Sequence, residues 1–306
     1  MAVPQLQFED CELDAITLSW ERAEGTGYKL EFREILVSLT AKRLAQGQKS
    51  LLTPKLCRAH QQINRAAPFP NDGRAKTTGE SMSVRVSVHT SGMEWAPSPS
   101  PSVRRKRVTL EGPQESGRVT SVVRYDANSQ FNEHGHPDGE EILVLEGSWQ
   151  DDNGDHPAGT YMLNPEGFRH APCSRDGCVL WVKLRQHGGP SRKHTRLDTN
   201  SMQWEDTDIP GVKAKELYSH PDHVESMRIE KWDAGAKVER ECQKMTEFLV
   251  LEGEAEAHDE SETFTKRSWL RLPAGATLSM TSAAGCQVFV KEGEWLPPSS
   301  SNTDAP

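Results

Sequence analysis

The sequence lacks any long hydrophobic run, and no window approaches the roughly 18 consecutive apolar residues of a membrane-spanning helix. Its first residues, MAVPQLQFEDCELDA, also lack the basic start and apolar core of a secretory signal. Hydrophobic residues make up only 35% of the chain, which is low but sufficient for compact domains joined by polar linkers. We therefore expect a soluble, cytoplasmic protein with no membrane partner.

Positive charge is scarce relative to negative charge. The chain has 36 lysine and arginine residues against 45 aspartate and glutamate residues, which gives a formal net charge of -9 at pH 7. This balance argues against broad electrostatic attraction to nucleic acid or to an anionic membrane surface. One short basic run, residues 104–107, is typical of a solvated strand or loop face. We expect no nucleic-acid partner.

Cysteine is also sparse. The chain contains no Cys-x-x-Cys pair and no compact disulfide framework, so reduced thiols are expected. Six cysteines are spread along it: Cys11, Cys57, Cys173, Cys178, Cys242 and Cys286.

An internal repeat is the most informative feature that the sequence does contain. Five blocks recur in the same order at an offset of 106 to 109 residues. They are HTSGMEW with DTNSMQW, RYDANS with KWDAGA, EILVLEG with EFLVLEG, TYMLNPEG with SWLRLPAG, and DGCVLWVK with AGCQVFVK. A shared order at one period predicts two copies of a single domain.

Each copy has the pattern of a β domain. Short runs rich in Val, Leu, Ile, Thr, Trp and Tyr alternate with turn residues, as in RVTSVVRYD, EEILVLEGSWQD and GTYMLNP. Helical periodicity is missing from this region. Closely spaced short strands favour an antiparallel sandwich or barrel, and jelly rolls are among the standard solutions. The predicted fold class is therefore mostly β.

The segments outside the repeats differ in character. Residues 1–82 form a predicted N-terminal extension and linker, partly β, with a polar stretch at 42–81. Within it, residues 4–34 resemble the opening of a fibronectin type III domain but fall well short of the roughly 100 residues of a complete one. Residues 297–306, at the other end, read as a disordered tail.

A candidate metal site lies in EHGHPDGEEILVLEGSW, residues 133–149. Because side chains alternate along a strand, His134 and His136 project from one face, and the PDG turn lets Glu140 begin the next strand on that face. Downstream, a strand and a Pro-Gly turn lead to His170, which a β-barrel can return to the same interior. Two histidines and a carboxylate with open positions suit non-haem Fe(II), and zinc accepts the same donors.

These spacings resemble the two signature motifs of the cupin superfamily. The first runs from His134 through His136 and Glu140 to Gly147, and the second spans residues 159–170. Asn128 stands where the family usually has glycine, a replacement that turn geometry tolerates. More narrowly, residues 135–172 resemble the cupins of ChrR-like anti-sigma factors, including tandem forms. The resemblance implies two jelly-roll barrels: a metal-binding cupin at 83–190 and a degenerate one at 191–296.

The resemblance implies that His134, His136, Glu140 and His170 hold one divalent ion in the first barrel. Alternation along the strand puts Glu141 on the opposite face, toward solvent, and His156 falls in an acidic turn where exposure is expected. In the second copy, alignment places different residues at all four ligand positions: Arg240, Cys242, Thr246 and Leu278. The second barrel is therefore predicted to hold no metal. His220 and His223 read as loop residues.

Three functions fit this site. The first is a metal-dependent dioxygenase acting on a small molecule, with Fe(II) or Zn(II) as the expected ion and Mn or Ni as alternatives. The second is a non-enzymatic zinc-binding sensor of ChrR type, and the third is a metal-stabilised scaffold. Sigma-factor binding by the ChrR mode is not favoured, because Cys11 lies far from Cys57 and His60 and no Cys-x-x-Cys is present. A homo-oligomer is compatible with the sequence.

Overall fold

A computed structural model describes residues 84–113, 116–189, 191–258 and 261–294. All of them belong to a compact unit that spans Pro70–Pro306. The predictions for residues 1–82, including the fibronectin-like segment, and for the tail at 297–306 lie outside the described residues. Within these ranges no helix is long and apolar enough to cross a membrane.

The described chain is almost entirely β, as predicted, with a single short 3₁₀ turn at Thr90–Gly92. The first twelve strands are β1 Val86–His89, β2 Ala96–Pro97, β3 Val103–Glu111, β4 Arg118–Tyr125, β5 Ser129–Gln130, β6 His134–His136, β7 Glu140–Asp151, β8 Gly154–Pro157, β9 Thr160–Asn164, β10 Phe168–His170, β11 Cys173–Ser174 and β12 Cys178–Leu184. The remaining eleven are β13 Thr195–Asp198, β14 Glu205–Asp206, β15 Val212–Tyr218, β16 Ser226–Trp232, β17 Ala236–Glu241, β18 Thr246–Gly253, β19 Ala255–Ala257, β20 Glu262–Phe264, β21 Ser268–Leu272, β22 Thr277–Ser282 and β23 Cys286–Glu292.

Two antiparallel barrels follow one another along the chain. In the first, the main sheet has the order β13-β9-β7-β12-β4-β3-β2, and β6 pairs with β10 on the facing side. In the second, the main sheet has the order β1-β21-β18-β23-β16-β15-β14, and a four-stranded sheet of β17, β22, β19 and β20 faces it. The tandem arrangement confirms the prediction of two cupin-like domains.

The two barrels exchange their first strands. β1, at the start of the first repeat, pairs with β21 of the second barrel, and β13, at the start of the second repeat, pairs with β9 of the first barrel. The offset of the repeat makes these two pairings equivalent. Each barrel's sheet is therefore completed by the other repeat, which ties the two domains together by backbone hydrogen bonds.

The outer faces of the two main sheets pack against each other. A buried apolar cluster draws members from both repeats, including Leu143 and Trp181 from the first and Leu249 and Phe289 from the second. This packing explains why the run ILVL in β7 is apolar at successive positions, since both faces of the strand are covered.

Packing of the barrels corrects the prediction for Glu141. It was expected to face solvent, but it is 0% exposed and accepts a hydrogen bond of 2.9 Å from the Tyr161 hydroxyl. His187 Nε2 lies 3.3 Å from Glu141 Oε2, and Lys291 Nζ lies 4.0 Å from the same oxygen. Alternation did place Glu141 opposite Glu140, but the outer face of β7 is covered by the second barrel.

Both copies of the repeat have a glycine after LVLE, Gly147 and Gly253, because the backbone and its neighbours leave no room for a Cβ there. Gly147 has φ +73°, as does its counterpart Gly253, and a Cβ at either position would clash with a backbone carbonyl of the next turn, Gly177 or Gly285. Asn128 likewise adopts φ +57°, the left-handed geometry that its place in the motif requires.

We expect Gly147→Ala to lower the free energy of unfolding by about 2–4 kcal/mol, because it adds backbone strain and a steric clash. Gly235→Ala is the control, since Gly235 has a similar φ of +79° but open space where the Cβ would lie. Urea unfolding of both variants separates the clash from the strain. Equal losses would contradict the assignment of a clash at Gly147.

Candidate metal centre

A short hairpin brings the three predicted histidines together. β6 and β10 pair antiparallel, with His134 directly opposite His170 and His136 opposite Phe168. The ring centroids of His134, His136 and His170 form a triangle with sides of 4.8, 5.1 and 4.9 Å. Glu140 begins β7 beside them.

The donor atoms of these residues converge. His136 Nε2 lies 3.0 Å from His170 Nε2, and Glu140 Oε2 lies 3.4 Å from the first and 3.6 Å from the second. One ligating atom from each of His134, His136 and His170 lies within 4.8 Å of the others. Nitrogens bound to one ion at about 2.0–2.1 Å are separated by about 2.8–3.4 Å when their bond angles are 90–109°. The distances between the donor atoms of His136, His170 and Glu140 are therefore close to those around a single divalent ion, and His134 lies near enough to be a further ligand.

The histidines are held in a form that can donate to a metal. Burial lowers the pKa of His134, and burial together with the neighbouring His170 and His134 lowers the pKa of His136 to about 3. Both imidazoles are therefore neutral near pH 7. The Nδ1 of His134 donates to the carbonyl of Asn132 at 2.8 Å, which leaves its Nε2 lone pair free for a ligand.

Glu140 is the buried acid of the site. It is 5% exposed, and burial raises the pKa of its carboxyl to about 7, against the opposing effects of His170 and a hydrogen bond from Asn164. Asn164 Nδ2 donates to Oε2 at 2.9 Å and orients the carboxylate. A divalent cation held by the neighbouring imidazoles would supply this buried carboxylate with a counter-ion.

The centre opens on one side. His136, Glu140 and His170 are 6%, 5% and 1% exposed, whereas His134 is only half-buried. Apolar side chains of the first barrel core, among them Ile142 and Val144, pack in the same barrel. The surroundings are therefore dry on the inner side and accessible beside His134.

Sequence reasoning missed Asp151 and misjudged His156. His156 was expected to be exposed, but its side chain is 0% exposed and its Nε2 lies 2.8 Å from Asp151 Oδ1. Asp151 Oδ2 lies 3.4 Å from His170 Nδ1. Burial alone would raise the pKa of Asp151, but the hydrogen bonds from His156 and Asn153 and the nearby ring of His170 hold it well below its usual range. Asp151 and His156 therefore turn inward from the β7–β8 hairpin, whereas residues 152–155 of the same turn are exposed.

The second barrel has non-ligand side chains at the four positions equivalent to the ligands, as the alignment predicts. Arg240 forms a two-pronged ion pair with Glu230, at 2.8 and 2.6 Å, while Cys242, Thr246 and Leu278 are buried. The four ligand positions therefore offer a cation, a thiol, a hydroxyl and an alkyl group. The interior encloses a cavity of only about 10 Å³, lined by apolar residues such as Phe248 and Phe264, which is about the space of one water.

Two further pairs of side chains, two cysteines and two histidines, lie outside the ligand cluster. Cys178 and Cys286 are buried at equivalent positions, and burial raises the pKa of the Cys178 thiol to about 11, as expected for packed, unreactive cysteines. His220 and His223 lie beside each other in the turn before β16, with ring centroids 4.6 Å apart. Among the described residues, the three histidines of the first barrel are the one His/Cys/Asp/Glu group with metal-ligand spacing.

The fold and the histidine cluster define a cupin protein with two barrels, one of which has a metal-ligand set. The chain belongs to the ChrR cupin-like domain family, whose model matches it twice, at residues 83–188 and 192–296. No curated protein sequence matches the chain significantly.

Solved structures share the fold at low sequence identity. A provisionally assigned dioxygenase of Nostoc punctiforme is 15% identical with a TM-score of 0.59, over 73% of this chain and 88% of its own. The nickel(II) complex of the pirin YhhW of Escherichia coli is 15% identical with a TM-score of 0.51, over 70% and 100%. YlbA of Escherichia coli is 13% identical with a TM-score of 0.56, over 74% and 97%. At these identities the likeness concerns the fold.

Proposed function

We propose that the first barrel binds one divalent metal ion through His134, His136, His170 and Glu140 and uses it to oxidise a small molecule with O₂. The convergence of donor atoms from these four residues, three of them buried and His134 half-buried at the open side, carries the proposal. An ion such as Fe(II) would supply Lewis-acid and redox chemistry to an oxygen-bearing substrate.

The chain's own residues have three tasks in this proposal. The neutral imidazoles of His134 and His136 present lone pairs to the ion, and Glu140 supplies a negative charge that Asn164 holds in place. The apolar core of the first barrel keeps bulk water from the inner side. The half-buried edge at His134 is where a substrate would enter.

Two comparisons support the proposed oxygenase function. The structurally similar protein of Nostoc punctiforme is provisionally assigned as a dioxygenase, and the similar pirin holds nickel(II). An oxygenase and a divalent metal are thus both compatible with this fold.

A second candidate function is zinc-dependent sensing without catalysis. Three histidines and one glutamate already provide four protein ligands, and a complete set of four suits a closed, tetrahedral zinc site. Membership in the ChrR cupin-like family is compatible with such a role. In this case the metal would stabilise a regulatory fold and no substrate would be oxidised.

Metal analysis of the protein purified without chelator tests the binding site. We expect about one equivalent of divalent metal per chain, because only one barrel has a ligand set. Two equivalents would contradict the prediction that the second barrel is empty of metal, and none, even after incubation with Fe(II) or Zn(II), would overturn the proposed site.

Oxygen consumption then separates the two candidate functions. The iron-loaded protein is expected to consume O₂ with one or more members of a panel of diketones and aromatic ketones, and the zinc-loaded protein is the inactive control. Consumption by neither form, together with zinc as the ion present after purification, would favour the sensing role.

A further inference from the structure

The carboxylate of Asp151 lies directly behind His170, on the side away from the other donor atoms. Its Oδ2 is 3.4 Å from His170 Nδ1, and its Oδ1 is 2.8 Å from His156 Nε2. The Asp151 side chain is only 2% exposed, and those of His170 and His156 are 1% and 0% exposed. The backbone N–H of Asn153 also donates to Oδ1 at 2.8 Å. The carboxylate is therefore fixed from several sides.

We propose that Asp151, held in place by His156, is a positioning residue that fixes His170 as an Nε2 ligand. This inference rests on the proposed metal site. A neutral imidazole carries one proton, and a carboxylate beside Nδ1 keeps the proton there, which leaves the Nε2 lone pair pointing at His136 and Glu140. The carbonyl of Asn132 has the same effect on His134.

His156 completes this arrangement. Its Nε2–H donates to Asp151 Oδ1, so the two oxygens of the carboxylate serve two different histidines. The ring of Trp149 covers both imidazoles, with centroids 5.4 Å from His156 and 5.3 Å from His170. The carboxylate therefore cannot turn without breaking one contact or displacing the indole.

The second barrel offers an internal comparison. Its β19–β20 hairpin is equivalent to β7–β8, since Ala255 pairs with Phe264 as Trp149 pairs with His156. Counting from Gly147 and Gly253 places Ala257 at the position of Asp151, and the strand pairing places Phe264 at that of His156. Alignment of PEG at 165–167 with PAG at 273–275 places Leu278 at the position of His170. All three polar residues are replaced by apolar ones together.

This joint replacement distinguishes a metal-related role from a purely structural one. If the Asp151–His156 pair served only to build the hairpin, the second barrel would need an equivalent pair to form its own. That hairpin forms with Ala257 and Phe264, which are 2% and 1% exposed and pack in an apolar core. The Asp151–His156 pair is therefore present in the repeat that has the metal ligands and absent from the repeat that has only the fold.

The tautomer of His170 provides a test that needs neither metal nor activity. Nitrogen-15 NMR of the metal-free wild-type protein, with the signal assigned by a His170→Leu variant, is expected to show His170 protonated at Nδ1. A signal from the Nε2-protonated form would overturn the proposal.

Metal affinity provides the second readout. Asp151→Asn replaces one carboxylate oxygen by an NH₂ group, so the side chain has a single accepting oxygen and can no longer accept a hydrogen bond from each histidine. We expect the metal dissociation constant to rise about 10- to 100-fold. Asp155→Asn is the matched control, because Asp155 lies on the same hairpin, is 59% exposed and pairs with Arg175. Chelator competition measures the metal affinity of both variants. His156→Phe, measured in the same way, tests whether His156 is needed to hold Asp151 in place.

The outcomes separate this inference from the proposed function. If Asp151→Asn and His156→Phe both bind metal as tightly as Asp155→Asn, Asp151 has no positioning role although the metal site stands. If the wild-type protein takes up no metal, the proposed function fails, and the tautomer of His170 in that same metal-free protein still decides for or against Asp151.

Discussion

Replacing His136 by alanine is expected to remove nearly all bound metal from the protein purified without chelator. His136 Nε2 lies close to two other donors, 3.0 Å from His170 Nε2 and 3.4 Å from Glu140 Oε2. Its loss removes one of the proposed metal ligands, and we expect the affinity for the metal to fall by at least about 100-fold, beyond the effect of losing an outer-shell partner. Metal content measured by mass spectrometry and chelator competition checks this result.

The matched control is His220→Ala, because His220 is a histidine in a solvent-exposed turn with 41% of its side chain exposed. This variant is expected to retain about one ion per chain. Thermal unfolding of the metal-free proteins shows whether His136→Ala still folds, since bound metal would itself stabilise the wild type. An undiminished ion content in His136→Ala would remove His136 from the ligand set.

The ligand cluster could be predicted from sequence because its geometry is local to a few strands. His134 and His136 alternate on β6, a three-residue turn leads to Glu140, and β10 returns His170 opposite His134. Each of these relations follows from strand alternation and hairpin pairing. The internal repeat also allowed the second barrel to be recognised as a copy without ligands.

Glu141 was mispredicted because its surroundings come from a distant part of the chain. Alternation correctly assigned it to the outer face of β7, but that face is covered by the second barrel, more than a hundred residues away in sequence. The successive apolar residues after Glu141 were the available signal, since strict alternation is lost when both faces of a strand are buried.

Asp151 and His156 were missed for a different reason. Their segment, DDNGDHP, has the composition of a solvated turn, and residues 152–155 are indeed exposed. Composition does not reveal that the side chains of Asp151 and His156, at either end of this turn, point inward. The comparison of repeats contains the missing signal. Ala257 and Phe264 replace Asp151 and His156 in the copy that also lacks His170, which links them to the ligands.

Lys183→Met is expected to lower the free energy of unfolding by about 3–5 kcal/mol, because it removes the closest ion-pair partner of the buried Glu247 carboxylate. Lys183 Nζ lies 2.6 Å from Glu247 Oε2, with side chains 1% and 6% exposed. Trp269 Nε1 donates to the same oxygen at 2.9 Å. This ion pair joins β12 of the first barrel to β18 of the second, so its loss weakens the contact between them.

The pH dependence follows from Glu247. Burial alone would raise its pKa, but Lys183 and Lys291 together lower it to about 2, from an ordinary value of 4.5. The lowered pKa means that the ion pair stabilises the fold fully above pH 4.5 and loses this contribution as pH falls toward 2. Glu247→Gln should therefore be less stable than the wild type by about 3 kcal/mol at pH 7, and the difference should shrink below pH 4.5.

Urea unfolding followed by tryptophan fluorescence measures these differences, and Lys266→Met provides the matched control. Lys266 forms an exposed ion pair with Glu146, with side chains 54% and 45% exposed, and its loss is expected to cost less than about 1 kcal/mol. The double variant Lys183→Met with Glu247→Leu should recover most of the lost stability, since no buried charge is then left unpaired. If Lys183→Met cost no more than Lys266→Met, the buried pair would contribute nothing to the joining of the two barrels.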